Sequence, residues 1–256
     1  MLITFSKYQG TGNDFIMIDN RNGATRFTQD QVAQLCDRKF GIGSDGIVLI
    51  ESHAVEDFYM NFYNPDGSQS FCGNGSRCAV AFARQLGIVG NHGIFGAIDK
   101  PHAFVVNDGE IAIQMKDVDA IDWCEGQCIV QTGSPHLIQL TDDTDNLNVA
   151  TEGAAIRYSQ RFSKEGINVN FVRMGDGELW MRTYERGVEA ETLSCGTGVT
   201  AAALSLAALQ SELREVAVHT RGGDLKVKLE RTPEGGFHDV WLCGPAQEVF
   251  QGSIEL

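Results

Sequence analysis

Two cysteines of this 256-residue chain stand in the same short setting: Cys72-Gly73-Asn74-Gly75 and Cys195-Gly196-Thr197-Gly198. Behind each lies a run of small and apolar residues, Cys78 to Ala83 after the first and Val199 to Leu209 after the second. Glycines at the second and fourth positions let backbone N–H groups line a small concavity. A helix starting there adds its positive end, which favours a bound carboxylate and lowers the pKa of a thiol at the cap. One such cysteine alone reads more simply as the first residue of a buried helix. Two in matched settings point to chemistry. Inverting a carbon that bears a hydrogen needs a base on one face and an acid on the other, and a thiolate with a thiol supplies both.

The flanking segments repeat in the same order. Asp57–Tyr63 and Glu178–Tyr184 read as strands, followed by Asn64-Pro65-Asp66-Gly67 in the first half and Glu185-Arg186-Gly187 in the second. Upstream, Asp45–Ile50 is matched by Glu165–Val169. The order and spacing agree better than the identities, as expected of an old duplication rather than a short solenoid repeat. The two segments behind the cysteines are apolar nearly all the way round a helix and must be buried on all sides. Gly87 is the expected stop for the first.

Alternation predicts further strands over 2–8, 15–19, 47–51, 102–106, 110–115, 127–132, 137–140, 168–174, 216–220, 225–230 and 238–242. More exposed helices are predicted over Thr28–Lys39, with Thr28 or Asp30 as cap, and over Leu147–Arg161. The expected fold class is α/β (α+β): two pseudo-symmetric domains, each a curled, mostly antiparallel sheet around a central apolar helix. The boundaries expected are 1–118 for the first half, joined by a returning segment 248–256, and 119–247 for the second.

Hydrophobic residues make up 43% of the chain, enough for a proper core. The net charge of −14 argues against nucleic acid or an acidic membrane as partner, because both are polyanions. The N-terminus lacks a basic region followed by an apolar one, and no apolar run reaches the ~18 residues that span a bilayer, so a cytoplasmic location is expected. Seven cysteines without regular spacing do not make a disulfide framework; Cys36, Cys78, Cys124, Cys128 and Cys243 read as ordinary core or surface residues. Gly41-Ile42-Gly43-Ser44-Asp45-Gly46 fits a dinucleotide fingerprint by letter, yet it precedes a strand and opens no helix. No cofactor and no metal are expected.

In order along the chain come Thr11-Gly12-Asn13-Asp14-Phe15, Gly41-Ile42-Gly43, Asn64-Pro65-Asp66-Gly67, Cys72 to Cys78, Pro135-His136, Asn168-Val169, Glu185-Arg186-Gly187 and Cys195 to Gly198. On these motifs the chain resembles the diaminopimelate epimerases from about Phe5 to about Ala208. The resemblance implies a cofactor-independent interconversion of LL- and meso-diaminopimelate, a step toward lysine and the bacterial cell wall. It implies that Cys72 and Cys195 exchange base and acid roles, and that backbone N–H groups of Gly73, Asn74, Gly196 and Thr197 hold the reacting carboxylate. His136 and Glu185 match positions that assist the reacting centre. Asn13, Asn64, Asn168 and Arg186 match positions that bind substrate polar groups, Arg186 by clamping the distal carboxylate. The partner implied is a small amino-acid substrate, and family analogy admits a homodimer.

Three departures bear on substrate reading. Ser134 stands where the family often has Asn, Gly46 where some members have Gln, and Glu189-Ala190 adds a residue that lengthens a loop. An epimerase of another amino acid (proline, hydroxyproline, histidine or glutamate) is therefore the nearest alternative. A non-catalytic amino-acid binder or redox thiol protein is the alternative of a different class.

Overall fold

The computed structural model describes residues 2–256. In chain order the elements are β1 (Leu2–Gly10), β2 (Asn13–Asp19), α1 (Gln29–Cys36), β3 (Gly46–Glu51), β4 (Phe58–Tyr63), α2 (Gly73–Gln85), β5 (His92–Gly96), β6 (Pro101–Asn107) and β7 (Glu110–Gln114). There follow β8 (Gln127–Gln131), β9 (Pro135–Leu140), α3 (Val149–Arg157), β10 (Asn168–Met174), β11 (Glu178–Glu185), β12 (Ala190–Thr192), α4 (Gly196–Leu209), β13 (Glu215–Thr220), β14 (Gly223–Arg231), β15 (Phe237–Gly244) and β16 (Gln247–Glu255). The chain divides into two compact units, Met1–Ile113 with Gly244–Leu256, and Gln114–Cys243.

In the first unit β1 pairs antiparallel with β2, β2 parallel with β3, β3 antiparallel with β4, β4 parallel with β5, and β5, β6 and β7 follow antiparallel. Parallel neighbours need a crossover, and α1 and α2 supply the two. In the second unit β8 and β9 are antiparallel, β9 and β10 parallel across α3, β10 and β11 antiparallel, β11 and β13 parallel across α4, and β13, β14 and β15 antiparallel. The two topologies are the same. The additions are β12, which pairs with the end of β11, and β16, which pairs antiparallel with β1. Each Cys-Gly-x-Gly opens the second crossover helix of its unit.

Those helices run along the inside of their sheets. α4 touches β8, β9, β10, β11, β13 and β14, and α2 touches β1, β2, β3, β4 and β16, which a flat sheet would not permit. The first crossover helix covers the outer face: Val32, Leu35 and Cys36 of α1 pack on Ile16, Ile18, Ile47 and Leu49. The central strands are thus buried on both faces, which explains the unbroken apolar runs of β2 and β3. In the second unit Val149 packs with Leu137, Val169, Phe171 and Tyr184 on the matching face.

Local signals set the helix ends. Thr28 caps α1 in a capping box with Gln31, while Asp30 lies in the first turn. Asn148 caps α3. Gly87, with φ of +70°, ends α2: its N–H reaches Arg84 O at 3.0 Å and the N–H of Ile88 reaches Ala83 O at 2.9 Å, a Schellman arrangement. Three strands lie outside the sequence expectation: β16, whose segment is expected to return to the first half but does not read as a strand, β5 and β12. β5 carries two glycines and too little alternation to read as a strand, and β12 is only three residues long. β12 begins at Ala190, directly after the turn that carries Glu189. Glu189, with φ of +57°, makes the turn, and its carboxylate accepts from Tyr158 Oη at 3.0 Å and pairs with Arg157 at 3.2 Å. Among the described residues no helix is long and apolar enough to cross a membrane.

Candidate active site

Cys72 and Cys195 are both N-cap residues, with nearly the same backbone: φ −131°, ψ 112° for Cys72 and φ −124°, ψ 112° for Cys195. Each carbonyl already accepts the first helical bond, from Ser76 N and Val199 N, both at 2.8 Å. The glycine at the fourth position of each motif is closely packed. A Cβ on Gly75 would lie 3.2 Å from Met60 Cε and 3.4 Å from Cys72 Cβ, and one on Gly198 would lie 2.7 Å from Asn170 Oδ1. Gly73, Asn74, Gly75, Gly196 and Gly198 are buried, and Thr197 is half-buried.

In the first unit the Cys72 sulfur accepts from Gly75 N at 3.4 Å and donates to Asn13 Oδ1 at 3.9 Å. Asn13 opens β2; its Oδ1 also accepts from Asn74 Nδ2 at 3.4 Å, and its Nδ2 donates to Asp45 Oδ2 at 2.6 Å. Asp45 in turn accepts from Asp14 N at 3.1 Å and pairs with Arg38 at 2.7 Å. Beside it, the buried Lys7 pairs with Asp14 at 2.6 Å, and Arg38 pairs with Asp14 at 2.7 Å. Burial works against ionisation of Asp14, but hydrogen bonds from Arg38 and Lys7 outweigh it and hold the carboxyl at about 2. Burial, aided by the negative Asp14, pushes Asp45 upward despite its bond from Asn13.

The β1–β2 hairpin that presents Asn13 turns at Thr11 and Gly12, both with positive φ (52° and 80°), as a two-residue type I′ turn requires. The fully buried Arg77 of α2 ties this turn to its own helix, donating to Thr11 Oγ1 at 3.1 Å and to Pro245 O at 3.2 Å. Just before Cys72, the Phe71 ring stacks on buried His102 at 4.2 Å, and His102 lies over Phe95 at 5.5 Å.

In the second unit the Cys195 sulfur lies 3.5 Å from Thr197 Oγ1, and that hydroxyl lies 2.9 Å from His136 Nε2. His136 Nδ1 is 3.2 Å from Asn170 Nδ2. Asn170 also donates to Leu137 O at 3.1 Å and accepts from Thr183 Oγ1 at 3.0 Å. Sheet register builds this chain: Asn168 lies opposite His136 across β9 and β10, and Asn170 opposite Thr183 across β10 and β11. His136 is fully buried, and burial first, then the positive Arg186, pull its pKa down to about 3, so the ring is neutral.

The remaining expected site residues are held in named contacts. Glu185 Oε2 accepts from Thr192 Oγ1 at 2.8 Å, across the β11–β12 pair. Asn168 Oδ1 accepts from Arg186 N at 2.9 Å, while its Nδ2 donates to Ser134 Oγ at 2.7 Å and to Pro135 O at 3.0 Å. Ser134, which stands where the family often has Asn, thus orients Asn168. Arg186 Nη1 donates to Glu165 O at 3.0 Å. Asn64 holds its own turn, donating to Ser68 O and to the hydroxyls of Ser68 and Ser70 at 3.1–3.2 Å.

Gly46, one of the departures from the family pattern, is closely packed. It is buried in β3, and a Cβ there would lie 2.4 Å from Phe62 Cε2 and 2.7 Å from Tyr63 O. The Phe62 ring fills the space that a side chain would need. The other cysteines behave as core or surface: burial pushes Cys78 up to about 12, and burial pushes Cys128 up to about 11 despite a bond to Ser205. Cys124 is exposed, while Cys36 and Cys243 are buried.

Sequence reasoning missed Asn170, Thr183, Asp45 and the Lys7–Asp14–Arg38 cluster. Asn170 left one readable trace. It follows Asn168 by two positions, which places a second amide on the same face of a mostly apolar strand.

The family model for diaminopimelate epimerase matches this chain twice, over residues 5–127 and 128–245. A diaminopimelate epimerase of Flavobacterium psychrophilum is 45% identical over 255 residues, covering 97% of this chain and 98% of the relative. One of Chlorobaculum tepidum is 41% identical over 265 residues, covering 96% and 99%. Among solved structures, a phenazine biosynthesis protein of the PhzF family from Bacillus anthracis superposes with a TM-score of 0.75 at 14% identity, covering all of both chains. A hydroxyproline epimerase from Agrobacterium vitis superposes with a TM-score of 0.70 at 13% identity, covering 100% of this chain and 93% of the other. At such identities these two likenesses speak for the fold alone.

Proposed function

The chain belongs to the diaminopimelate epimerase family, and from that premise we propose that Cys72 and Cys195 are the two groups with which it inverts an α-carbon. The enzyme is an isomerase acting on diaminopimelate, in lysine biosynthesis. A thiolate removes the α-proton and becomes a thiol; the other thiol gives its proton to the opposite face and becomes a thiolate. The next turnover in the reverse direction uses the same groups with their roles exchanged. The observation that carries this reading is the duplication itself: one family match per half, and one cysteine per half capping an equivalent helix with the same backbone angles.

The α-proton is only weakly acidic, so the carbanion must be stabilised where its charge develops. We assign this to the backbone N–H groups of Gly73, Asn74, Gly196 and Thr197 at the two helix starts, each donor of this kind being worth ~3 kcal/mol. The support is their position at the first turns of α2 and α4, where backbone donors lack helical acceptors. Glu185 is assigned to the substrate ammonium on its match to the family position, with its Oε2 held by Thr192 Oγ1. Arg186 and Asn168 are assigned to substrate polar groups, together with Asn13 and Asn64. His136 serves as a neutral N–H donor to Thr197, a role consistent with its burial.

The test uses LL-diaminopimelate in D2O with the reduced enzyme. Deuterium is expected at the α-carbon of the meso product, and Cys72→Ala and Cys195→Ala are each expected to abolish turnover while the fold is kept. Turnover at the normal rate in either variant would overturn the two-thiol assignment.

A further inference from the structure

The two sulfurs end hydrogen-bond chains of opposite polarity, and in each chain the polarity is set several bonds away from the sulfur. Around Cys195, Asn170 is the origin. Its Nδ2 faces the carbonyl of Leu137, which can only accept, and its Oδ1 faces the Thr183 hydroxyl. The amide therefore points its N–H at His136 Nδ1, which must accept and so carries no proton. A neutral imidazole then has its proton on Nε2, and donates it to Thr197 Oγ1. Having accepted there, the Thr197 hydroxyl still has its own proton to give, and the Cys195 sulfur lies 3.5 Å from it. The chain delivers a donor to that sulfur.

Around Cys72 the order is reversed. Asp45 Oδ2 accepts from the backbone N–H of Asp14, which marks it as an acceptor, and Asn13 Nδ2 faces the same oxygen. Asn13 must then turn its Oδ1 toward Cys72, and the donation from Asn74 Nδ2 to that oxygen agrees. An amide oxygen near a sulfur welcomes S–H and repels S⁻. The Cys72 sulfur also accepts from Gly75 N at 3.4 Å, so the amide oxygen of Asn13 is what sets its polarity apart from that of Cys195.

Accepting that the two cysteines form the acid–base pair, we infer that in the resting protein Cys195 is the thiolate and Cys72 the thiol, with Asn170 and Asn13 as the positioning residues that decide it. The motif difference Cys-Gly-Thr-Gly against Cys-Gly-Asn-Gly is then functional, since the third residue supplies a hydroxyl donor in one copy and an amide bound to Asn13 in the other. The resting form can deprotonate the epimer whose α-hydrogen faces Cys195. Charged and titratable groups beside these chains include Asp45, Asp14, Arg38 and Lys7 behind Asn13, Cys78 beside Cys72, and Arg186 beside His136.

The test is site-resolved alkylation of the reduced, unliganded enzyme with iodoacetamide across a range of pH, read by mass spectrometry. The pH of half-maximal rate reports the protonation of each sulfur independently of its access. Cys195 is expected to titrate at least about one pH unit below Cys72, the scale of one hydrogen bond to a charged acceptor. Thr197→Val is expected to raise the Cys195 midpoint by about one unit with Cys72 unmoved, and Thr197→Ser to restore it. Nitrogen-15 NMR of the His136 ring is expected to show the Nε2–H tautomer, changed to Nδ1–H by Asn170→Asp, whose carboxylate can only accept. Cys72 titrating first, equal midpoints, or no shift in Thr197→Val would overturn the inference. If those results came while Cys72→Ala and Cys195→Ala were both inactive, the resting assignment would fall and the two-thiol reading would stand. If either Cys→Ala variant kept turnover, the reading itself would fall.

Discussion

His136 should make this protein acid-sensitive in a window set by one residue. Unfolded, its imidazole titrates near 6.5; folded, burial and Arg186 hold it at about 3. The folded pKa is the lower one, so the unfolded chain binds the extra proton first as pH falls. Stability is full above about 6.5 and is lost progressively toward 3. The whole gap corresponds to about 5 kcal/mol at 1.36 kcal/mol per pH unit, a large share of the ~5–15 kcal/mol that holds a domain. At about pH 5 the part already lost is about 2 kcal/mol.

The perturbation is His136→Gln, which carries an N–H to replace Nε2–H and an oxygen to accept from Asn170, yet does not titrate. The assay is urea unfolding followed by circular dichroism at about pH 7.5 and about pH 5. Wild type is expected to lose about 2 kcal/mol more than the variant between the two conditions, because every other titration is common to both proteins and cancels. An equal loss in the two proteins would refute the argument that His136 is buried in its neutral form.

Gly46→Gln, the residue of some relatives, should destabilise by ~1–3 kcal/mol or more, since its Cβ meets both the Phe62 ring and the Tyr63 carbonyl; an unchanged urea midpoint would show that β3 can yield there. Cys78 and Cys128, held up by burial at about 12 and about 11, should resist iodoacetamide in the folded enzyme at neutral pH, and labelling of either before Cys195 would contradict their burial. Thr28→Ala removes the capping box of α1 and should cost ~1 kcal/mol in urea while leaving kcat and KM alone, because α1 lies on the outer face of its sheet.

Much of the fold was legible because its signals are local. The apolar run Val199 to Leu209 could only be a helix buried on all sides, and α4 is one. Thr28 with Gln31, and Gly87 behind α2, act within a single turn of chain. β5 was not legible, because its glycines pack against Phe104 and Tyr59, residues of other strands. The packing of Gly46 was not legible for a related reason: its neighbour is Phe62, on the adjacent strand.

The same division runs through the site. Sequence alone determined that two cysteines open two equivalent helices, because a cap and its glycines lie within four residues and the duplication repeats them. The resemblance to the family brought out Asn13, His136, Asn168 and Glu185, which lie at the ends of strands. Only the tertiary structure decided what those residues do to the sulfurs. A hydrogen bond has a direction, and here the direction is set by partners far apart in sequence: Asn170 with Thr183 for one sulfur, Asp45 with Asn13 for the other. Two nearly identical motifs thereby receive opposite polarity, and that difference arises from strand register, which no single stretch of sequence contains.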